Sequence, residues 1–425
     1  MGANLLRSCI FNFEKMETSR KHDRGQIRSW MGLRFLIPSL LFATLIVDAA
    51  LRFVPPQHVA FRAWEPASLF ATAEGWFAPN FRYENNRSYG DLPNLGNLPR
   101  FRQYRREVFT TDEFGYRNPP SGGSHDTPAA ILVGDSFAVG CGVSDWDTLS
   151  VQLMTHLGGK RVYNAAGGGA QWKMTSQLIQ RLHMRDGLVI WEVLERSGLP
   201  ESVRSETSDF SRVAGRVASP NSETYRTLRG LRIWTQSYLA YSPLSIFLNR
   251  TFQKMENGVW LPNPSEKVVF VGQLHNGDSM LFLDSEVQTF YKPLHDSGTY
   301  LPEISALVHA TGNELLVLLV PEKYNVYYPL LVEKGESPPE DEFRLNHLEK
   351  DLHRLGIPVL NLTSQLRSQA EDGLQRREYN YWIDDTHWNQ LGIQTATTAI
   401  LRDWSDSTGS ISNASIRRNT FSVAR

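Results

Sequence analysis

Three short, largely apolar runs, at 131–133, 188–194 and 314–320, constrain this chain more than any other feature. A strand with one face in water alternates apolar and polar side chains, whereas a strand covered on both faces does not need to. Segments of helical spacing stand between and after the runs, at 145–157, 171–184, 299–311 and 340–355, with shorter strands at 161–163 and 357–360. Strand and helix in alternation predict an α/β fold with a mostly parallel sheet and right-handed crossovers. Residues 199–295 break the rhythm, so an insertion or cap follows the third strand; within it 267–272 and 279–283 read as a hairpin.

In such folds ligands bind at the carboxyl ends of the strands. The run Ile131-Leu132-Val133 enters Gly134-Asp135-Ser136, a tight turn that raises a serine hydroxyl to that rim beside backbone N–H groups. Ser136 is then either a nucleophile or merely a helix cap. The strand at 161–163 ends in Asn164-Ala165-Ala166-Gly167-Gly168-Gly169-Ala170, whose N–H groups can approach a ligand closely because no Cβ stands in the way. This loop lacks the Lys-Ser/Thr ending of a P-loop and the spacing of a dinucleotide fingerprint, so it reads either as a phosphate cradle of another kind or as an oxyanion-binding loop. Glu195 and Arg196 leave the third strand at the same rim, where they pair with each other or with solvent, or meet a substrate. Lys323 leaves the run at 314–320 and is either a contact for an anionic sugar or a solvated lysine.

Near the end of the chain Asp384-Asp385-Thr386-His387-Trp388-Asn389 lies on a loop ahead of a last helix, which runs to about residue 404. A serine is a poor nucleophile at neutral pH unless an imidazole takes its proton, and the imidazole needs a carboxylate to orient it. His387 with two nearby aspartates meets that need; a hydrogen-bonded structural histidine is the plainer reading. Trp172, Trp191, Trp382 and Trp388 flank these motifs and serve either as core packing or as platforms for sugar rings.

The chain has 425 residues, 44 basic and 45 acidic, for a formal net charge of -1. No global field favours nucleic acid, which is set aside as a partner. Residues 35–54 form an apolar run of about the length that crosses a bilayer, interrupted by Pro38 and Asp48. Arg7, Lys15, Arg20, Lys21, Arg24, Arg28 and Arg34 precede it, and only Arg52 and Arg62 follow closely, a bias that places the amino terminus in the cytosol. The expectation is an uncleaved signal anchor with the bulk of the chain on the periplasmic or extracellular side of the cytoplasmic membrane. On that topology Cys9 and Cys141 lie on opposite sides of the membrane and cannot pair. No Cys or His spacing suggests a metal site, and no cofactor is implied.

The expected organisation is a basic cytoplasmic segment 1–34, an anchor 35–54, a juxtamembrane region of short strands and loops 55–128, a catalytic domain 129–404 with the insertion 199–295, and a polar, disordered tail 405–425. Thr111 to Asn118 reads as a turn packed on the domain just before its first strand.

Three blocks stand in one order: Gly134-Asp135-Ser136, Asn164 with Gly169 five residues on, and Asp385-Thr386-His387-Trp388-Asn389. Together they resemble the SGNH (GDSL-like) hydrolase superfamily, and the Asp-Thr-His-Trp ending is similar to its alginate O-acetyltransferase-like branch. The resemblance implies a flavodoxin-like, three-layer α/β/α domain. It implies Ser136 as nucleophile, His387 as general base, Asp385 as its orienting acid, and the N–H groups of Ser136 and Gly169 as an oxyanion hole. Trp388, Arg196 and Lys323 become candidate substrate contacts. The implied activity is O-acyl transfer, acetyl in the first instance, to a polysaccharide, with a membrane-bound acyl donor protein as partner. A carbohydrate esterase with the same residues, or an idle polysaccharide-binding assembly protein, are the other readings. The chain departs from the pattern in three ways. Trp191-Glu192-Val193-Leu194-Glu195-Arg196 replaces the usual asparagine block after the third strand. Serine precedes the Asp-His pair, as in the broader superfamily but not in the alginate proteins. The broader spacing, Asp-x-x-His, would select Asp384 in place of Asp385.

Overall fold

The computed structural model describes residues 26–51, 53, 62–68, 75–96, 98–119, 126–167, 172–196, 244, 268–291, 301–339 and 343–411. Two units are present, Met1–Val54 and Pro55–Arg425. In the first, helix α1 (Gln26–Leu51) carries Pro38 inside it. Its Leu36, Leu40, Leu41, Phe42, Leu45 and Ile46 are all exposed. Among the described residues no helix is long and apolar enough to cross a membrane. Residues 1–25 of the expected basic segment lie outside the described residues.

The second unit opens with α2 (Trp64–Ser68), β1 (Arg82–Ser88), α3 (Leu92–Leu95) and β2 (Arg105–Thr110), the two strands pairing antiparallel. Then come β3 (Ala130–Val133), the one-turn α4 (Ser136–Val139), α5 (Leu149–His156), β4 (Val162–Asn164), α6 (Trp172–Arg181) and β5 (Leu188–Leu194). The hairpin β6 (Val269–Gln273) and β7 (Ser279–Leu283) leads into α7 (Asp284–Tyr291) and α8 (Leu301–Ala310). The chain closes with β8 (Glu314–Val320), α9 (Lys323–Tyr327), α10 (Arg344–Arg354), β9 (Val359–Asn361), α11 (Thr363–Gly373) and α12 (Gln390–Ile411).

Five strands form one sheet in the order β4-β3-β5-β8-β9, and every neighbouring pair is parallel. The apolar runs have their physical reason in this sheet. Leu316, Leu318 and Val320 of β8 join one core, with α5 and α12, while Leu315, Val317 and Leu319 join a second core, with α6, α8 and α10. Side chains alternate between faces along a strand, so both faces being covered requires apolar residues at every position. Helices on both sides of a mostly parallel sheet make this an α/β fold.

Several boundaries differ from those expected. The helix expected at 145–157 starts as a 3-10 turn, Asp145–Asp147, because Asp145 is held by the Arg117 guanidinium and the Thr110 N–H, and α5 begins only after Thr148. The last helix does not stop at 404. Ile393, Ala396 and Ile400 anchor it in the core, and extending a formed helix by polar residues costs little, so it runs to Ile411; residues 412–425 lie outside the described residues. Residues 55–128, expected as a region of short strands and loops, fall in the same unit as the sheet. Most of the insertion lies outside the described residues, but its expected hairpin is present, and the Leu281 N–H donates to Ile383 O at 3.0 Å, against the His387 loop.

Leu318 sits fully buried in the middle of the sheet. Leu318→Ala should lower unfolding free energy by roughly 2–5 kcal/mol, the usual cost of such a cavity. Urea denaturation checks this, and a change under about 1 kcal/mol would contradict a close-packed core at β8.

Candidate active site

Ser136 is the first residue of α4, and it is Asp135, not Ser136, that caps this helix, accepting from the Phe137 N–H at 2.9 Å. Gly134 has no room for a side chain: a Cβ would stand 2.3 Å from Glu192 Oε2, which accepts the Asp135 N–H at 2.9 Å. Glu192 is a polar residue on an otherwise apolar stretch of β5. Burial, with Asp135 beside it, lifts its carboxyl well above the usual range. Three side chains from distant segments then hold α4 in place. Trp388 Nε1 donates to Phe137 O at 3.1 Å, Asn164 Nδ2 to Ala138 O at 2.9 Å, and Arg117 Nη1 to Gly140 O at 2.5 Å.

His387 reaches this turn from the loop before α12. Its Nε2 lies 2.8 Å from Ser136 Oγ and its Nδ1 lies 2.7 Å from Asp385 Oδ1. With the Nδ1 hydrogen donated to the carboxylate, Nε2 is left to accept the serine hydroxyl. The Phe137 ring packs against the imidazole at 4.9 Å between centroids. The structure therefore brings Ser136, His387 and Asp385 into one hydrogen-bonded chain.

Asp385 is fully buried, and its second oxygen accepts from Arg62 Nη2 and, at 2.8 Å, from Arg105 Nη2. Burial alone would raise its pKa. Arg62, His387 and Arg105 outweigh that and hold the carboxyl well below the usual carboxylate range. Asp384 turns away from the imidazole. It accepts the Gly90 and Gln103 N–H groups, each at 2.8 Å, and Arg105 Nη1 at 3.0 Å. Gly90 passes so close to this loop that a Cβ would fall 1.7 Å from Asp384 O. Asp91 adds a further tie, accepting the Thr386 N–H at 3.0 Å and hydroxyl at 2.8 Å.

Arg62, Arg105 and Asp91 are the residues that sequence reasoning missed. No spacing links them to Asp385, since Arg62 and Arg105 lie 323 and 280 positions away. The signal was the density of Arg, Asn and Pro in a region with few apolar runs, which fits segments folded over a polar site.

The rim candidates fare differently. Lys323 is not a surface contact for a sugar: it is fully buried, and its Nζ donates to Ile383 O at 3.1 Å and Asp385 O at 2.9 Å. Burial lowers its pKa to about 8. Trp388 is equally inaccessible, with its ring in the core and its N–H spent on Phe137. Glu195 and Arg196 do not pair with each other. Glu195 accepts from the Glu322 N–H and from Asn325, while Arg196 Nη1 meets Glu322 Oε2 at 2.9 Å and Glu286 Oε1 at 3.6 Å. Arg196 stays partly exposed at the rim. Gly169 lies outside the described residues. The Ser136 N–H has no acceptor among the described residues, whereas its neighbours on both sides do.

Asp91, Asp385 and His387 place metal-ligand atoms within 4.8 Å of one another. Two guanidiniums already face Asp385, and their charge opposes a cation there.

Two outcomes follow from this geometry. Arg62→Met leaves a buried carboxylate short of one partner, which costs roughly 3–5 kcal/mol. The stability given by a depressed Asp385 is complete above the unfolded value of about 3.9 and is lost as pH falls through the folded value. The gap between wild type and Arg62→Met should therefore narrow on acidification below that value; a gap equal at all pH would contradict the ion pair. Lys323→Met should lower the melting temperature and leave the KM for an anionic oligosaccharide unchanged, whereas a raised KM with unchanged melting would restore a sugar-binding role.

Residues 277–417 match the family model described as SGNH hydrolase-like domain, acetyltransferase AlgX. The matched stretch holds Asp385 and His387, and Ser136 lies ahead of it. None of the curated proteins matches the chain. Among solved structures, the YXIM protein of Bacillus subtilis aligns at 8% identity and TM-score 0.32, over 71% of this chain and 60% of its own, too distant to inform the fold. Over that stretch the chain is similar to an SGNH hydrolase-like domain of the alginate O-acetyltransferase-like branch.

Proposed function

We propose that this protein is an O-acyltransferase that moves an acetyl group to a polysaccharide hydroxyl through an acyl-serine at Ser136. The observation that carries the reading is the hydrogen-bonded chain from Ser136 Oγ through His387 to Asp385, at 2.8 and 2.7 Å. The acetyltransferase description of the matching family supports the choice of acyl group.

In the first step Ser136 Oγ attacks the carbonyl carbon of an acyl donor and its proton passes to His387 Nε2. Collapse of the tetrahedral intermediate expels the donor's leaving group, which takes that proton. In the second step a sugar hydroxyl gives its proton to Nε2 and attacks the acyl-serine, and Nε2 passes that proton to Ser136 Oγ as the ester bond to the serine breaks. Asp385 remains ionised throughout and stabilises the transient imidazolium; the guanidiniums of Arg62 and Arg105 keep it so.

The acceptor can also be water, which makes the same residues a carbohydrate esterase. The balance rests on how well water is excluded from the acyl-serine and how well the sugar is held. An idle binding protein gains little support, because a non-catalytic core has no need of a serine hydroxyl placed on an oriented imidazole.

The reading extends to location. The apolar run 35–54 with the basic residues ahead of it supports an anchor in the cytoplasmic membrane and a catalytic unit outside it, while the described helix α1 is not by itself long and apolar enough to cross a bilayer. Acetyl groups are activated in the cytosol, so a membrane-bound donor protein is the implied partner.

Incubation with an acetyl ester, with and without oligosaccharide, tests the assignment. Acetylated oligosaccharide should form faster than free acetate, and Ser136→Ala should lower both by at least about a thousandfold. Rapid acetate release with no acetylated sugar would favour the esterase, and an active Ser136→Ala would sink both.

A further inference from the structure

The two steps of acyl transfer leave the guanidinium of Arg196 without a role. β5 lies beside β3 in the parallel sheet, with Trp191 opposite Val133, so Arg196 and Ser136 leave the sheet at the same edge. The Arg196 guanidinium carbon stands 6.0 Å from the centroid of the Phe137 ring, the same ring that packs on the His387 imidazole. Its conformation is fixed from two other segments. Glu322 accepts the Arg196 N–H at 3.3 Å and Nη1 at 2.9 Å, and Glu286 of α7 approaches Nη1 at 3.6 Å. Both glutamates are buried, and the arginine side chain keeps 24% of its surface exposed. Among the described residues no acceptor takes the hydrogens of Nε or Nη2. One edge of the guanidinium is thus anchored, and among the described residues the donors of its other edge face no acceptor.

An attack by Ser136 converts the acyl carbonyl oxygen into an anion, which needs donors positioned before the reaction begins. The Ser136 N–H supplies one. We propose that Arg196 supplies a second, donating from its unanchored edge to the oxygen that becomes negative in the tetrahedral intermediate. This rests on the acyl-serine reading of Ser136. Balance is preserved: the carbonyl π bond breaks to place its electron pair on oxygen, the Oγ–C bond forms, and the serine proton moves to Nε2. On collapse the electron pair returns and Arg196 is unchanged. Glu322 and Glu286 hold the guanidinium in place so that it does not reorganise during the step.

A competing role is neutralisation of the two buried glutamates and nothing more. A lysine meets that need as a point charge but cannot offer two planar edges. Arg196→Lys therefore separates the two roles, since it keeps a cation against Glu322 and Glu286 and should fold and melt with the wild type. Its hydrolysis of para-nitrophenyl acetate, a small uncharged ester without sugar, should lose about a hundredfold in kcat with KM unchanged. Added guanidinium ion should restore part of the rate to Arg196→Ala. Wild-type turnover of the ester by Arg196→Lys would overturn the proposal, as would a defect confined to the KM for oligosaccharide, which would make Arg196 an acceptor contact. Ser136→Ala run in parallel distinguishes the two levels: if it is inactive while Arg196→Lys is normal, only the role of Arg196 fails. If Ser136→Ala still turns over the ester, the acyl-serine reading fails first.

Discussion

The carboxylate of Asp385 is buried, ionised and shared, and the site depends on how it is shared. One oxygen takes the imidazole hydrogen at 2.7 Å, and the other takes two guanidiniums. A lone carboxylate in that position would hold a proton and lose its hold on His387. Arg62 and Arg105 prevent this, and through Arg105 the same network also fixes Asp384 and hence the whole loop that presents the imidazole. The two arginines come from the region ahead of the sheet, which makes that region part of the catalytic unit.

Convergence is the second theme. Ser136 comes from the edge of β3, His387 and Asp385 from the loop before α12, and the arginines from the segments around β1 and β2. What joins them is a set of hydrogen bonds across long stretches of chain: Trp388 to Phe137, Asn164 to Ala138, Arg117 to Gly140, Asp91 to Thr386. Each spends a polar side chain on a backbone group of the serine turn or of the histidine loop. The result is a serine hydroxyl and an imidazole preset at hydrogen-bond distance, with no reorganisation required before attack.

Much of this was legible in the chain because it follows from local rules. The runs at 188–194 and 314–320 read as central strands, and Gly-Asp-Ser after Val133 read as a turn that brings a hydroxyl to the sheet edge. Asp385, Thr386 and His387 announced an oriented imidazole by adjacency. The remainder was hidden because it is set by contacts between distant segments. Nothing near Lys323 in sequence says that its ammonium will turn inward to the Ile383 and Asp385 carbonyls, and nothing near Trp388 says that its indole will pin the serine turn. Arg62 and Arg105 look like any arginines in a loop-rich stretch until the fold brings Asp385 to them. Between Asp384 and Asp385, the spacing left two choices and the backbone decided, turning one carboxylate toward the imidazole and the other toward Gly90 and Gln103.

The most direct test of the account is to look for the covalent intermediate. Protein quenched in acid during turnover of an acetyl ester, then digested and read by mass spectrometry, should carry the acetyl group on the peptide containing Ser136, and the signal should fall when an acceptor oligosaccharide is added before the quench. Acetylation of a different residue, or product formation with no acylated protein at any time, would contradict it.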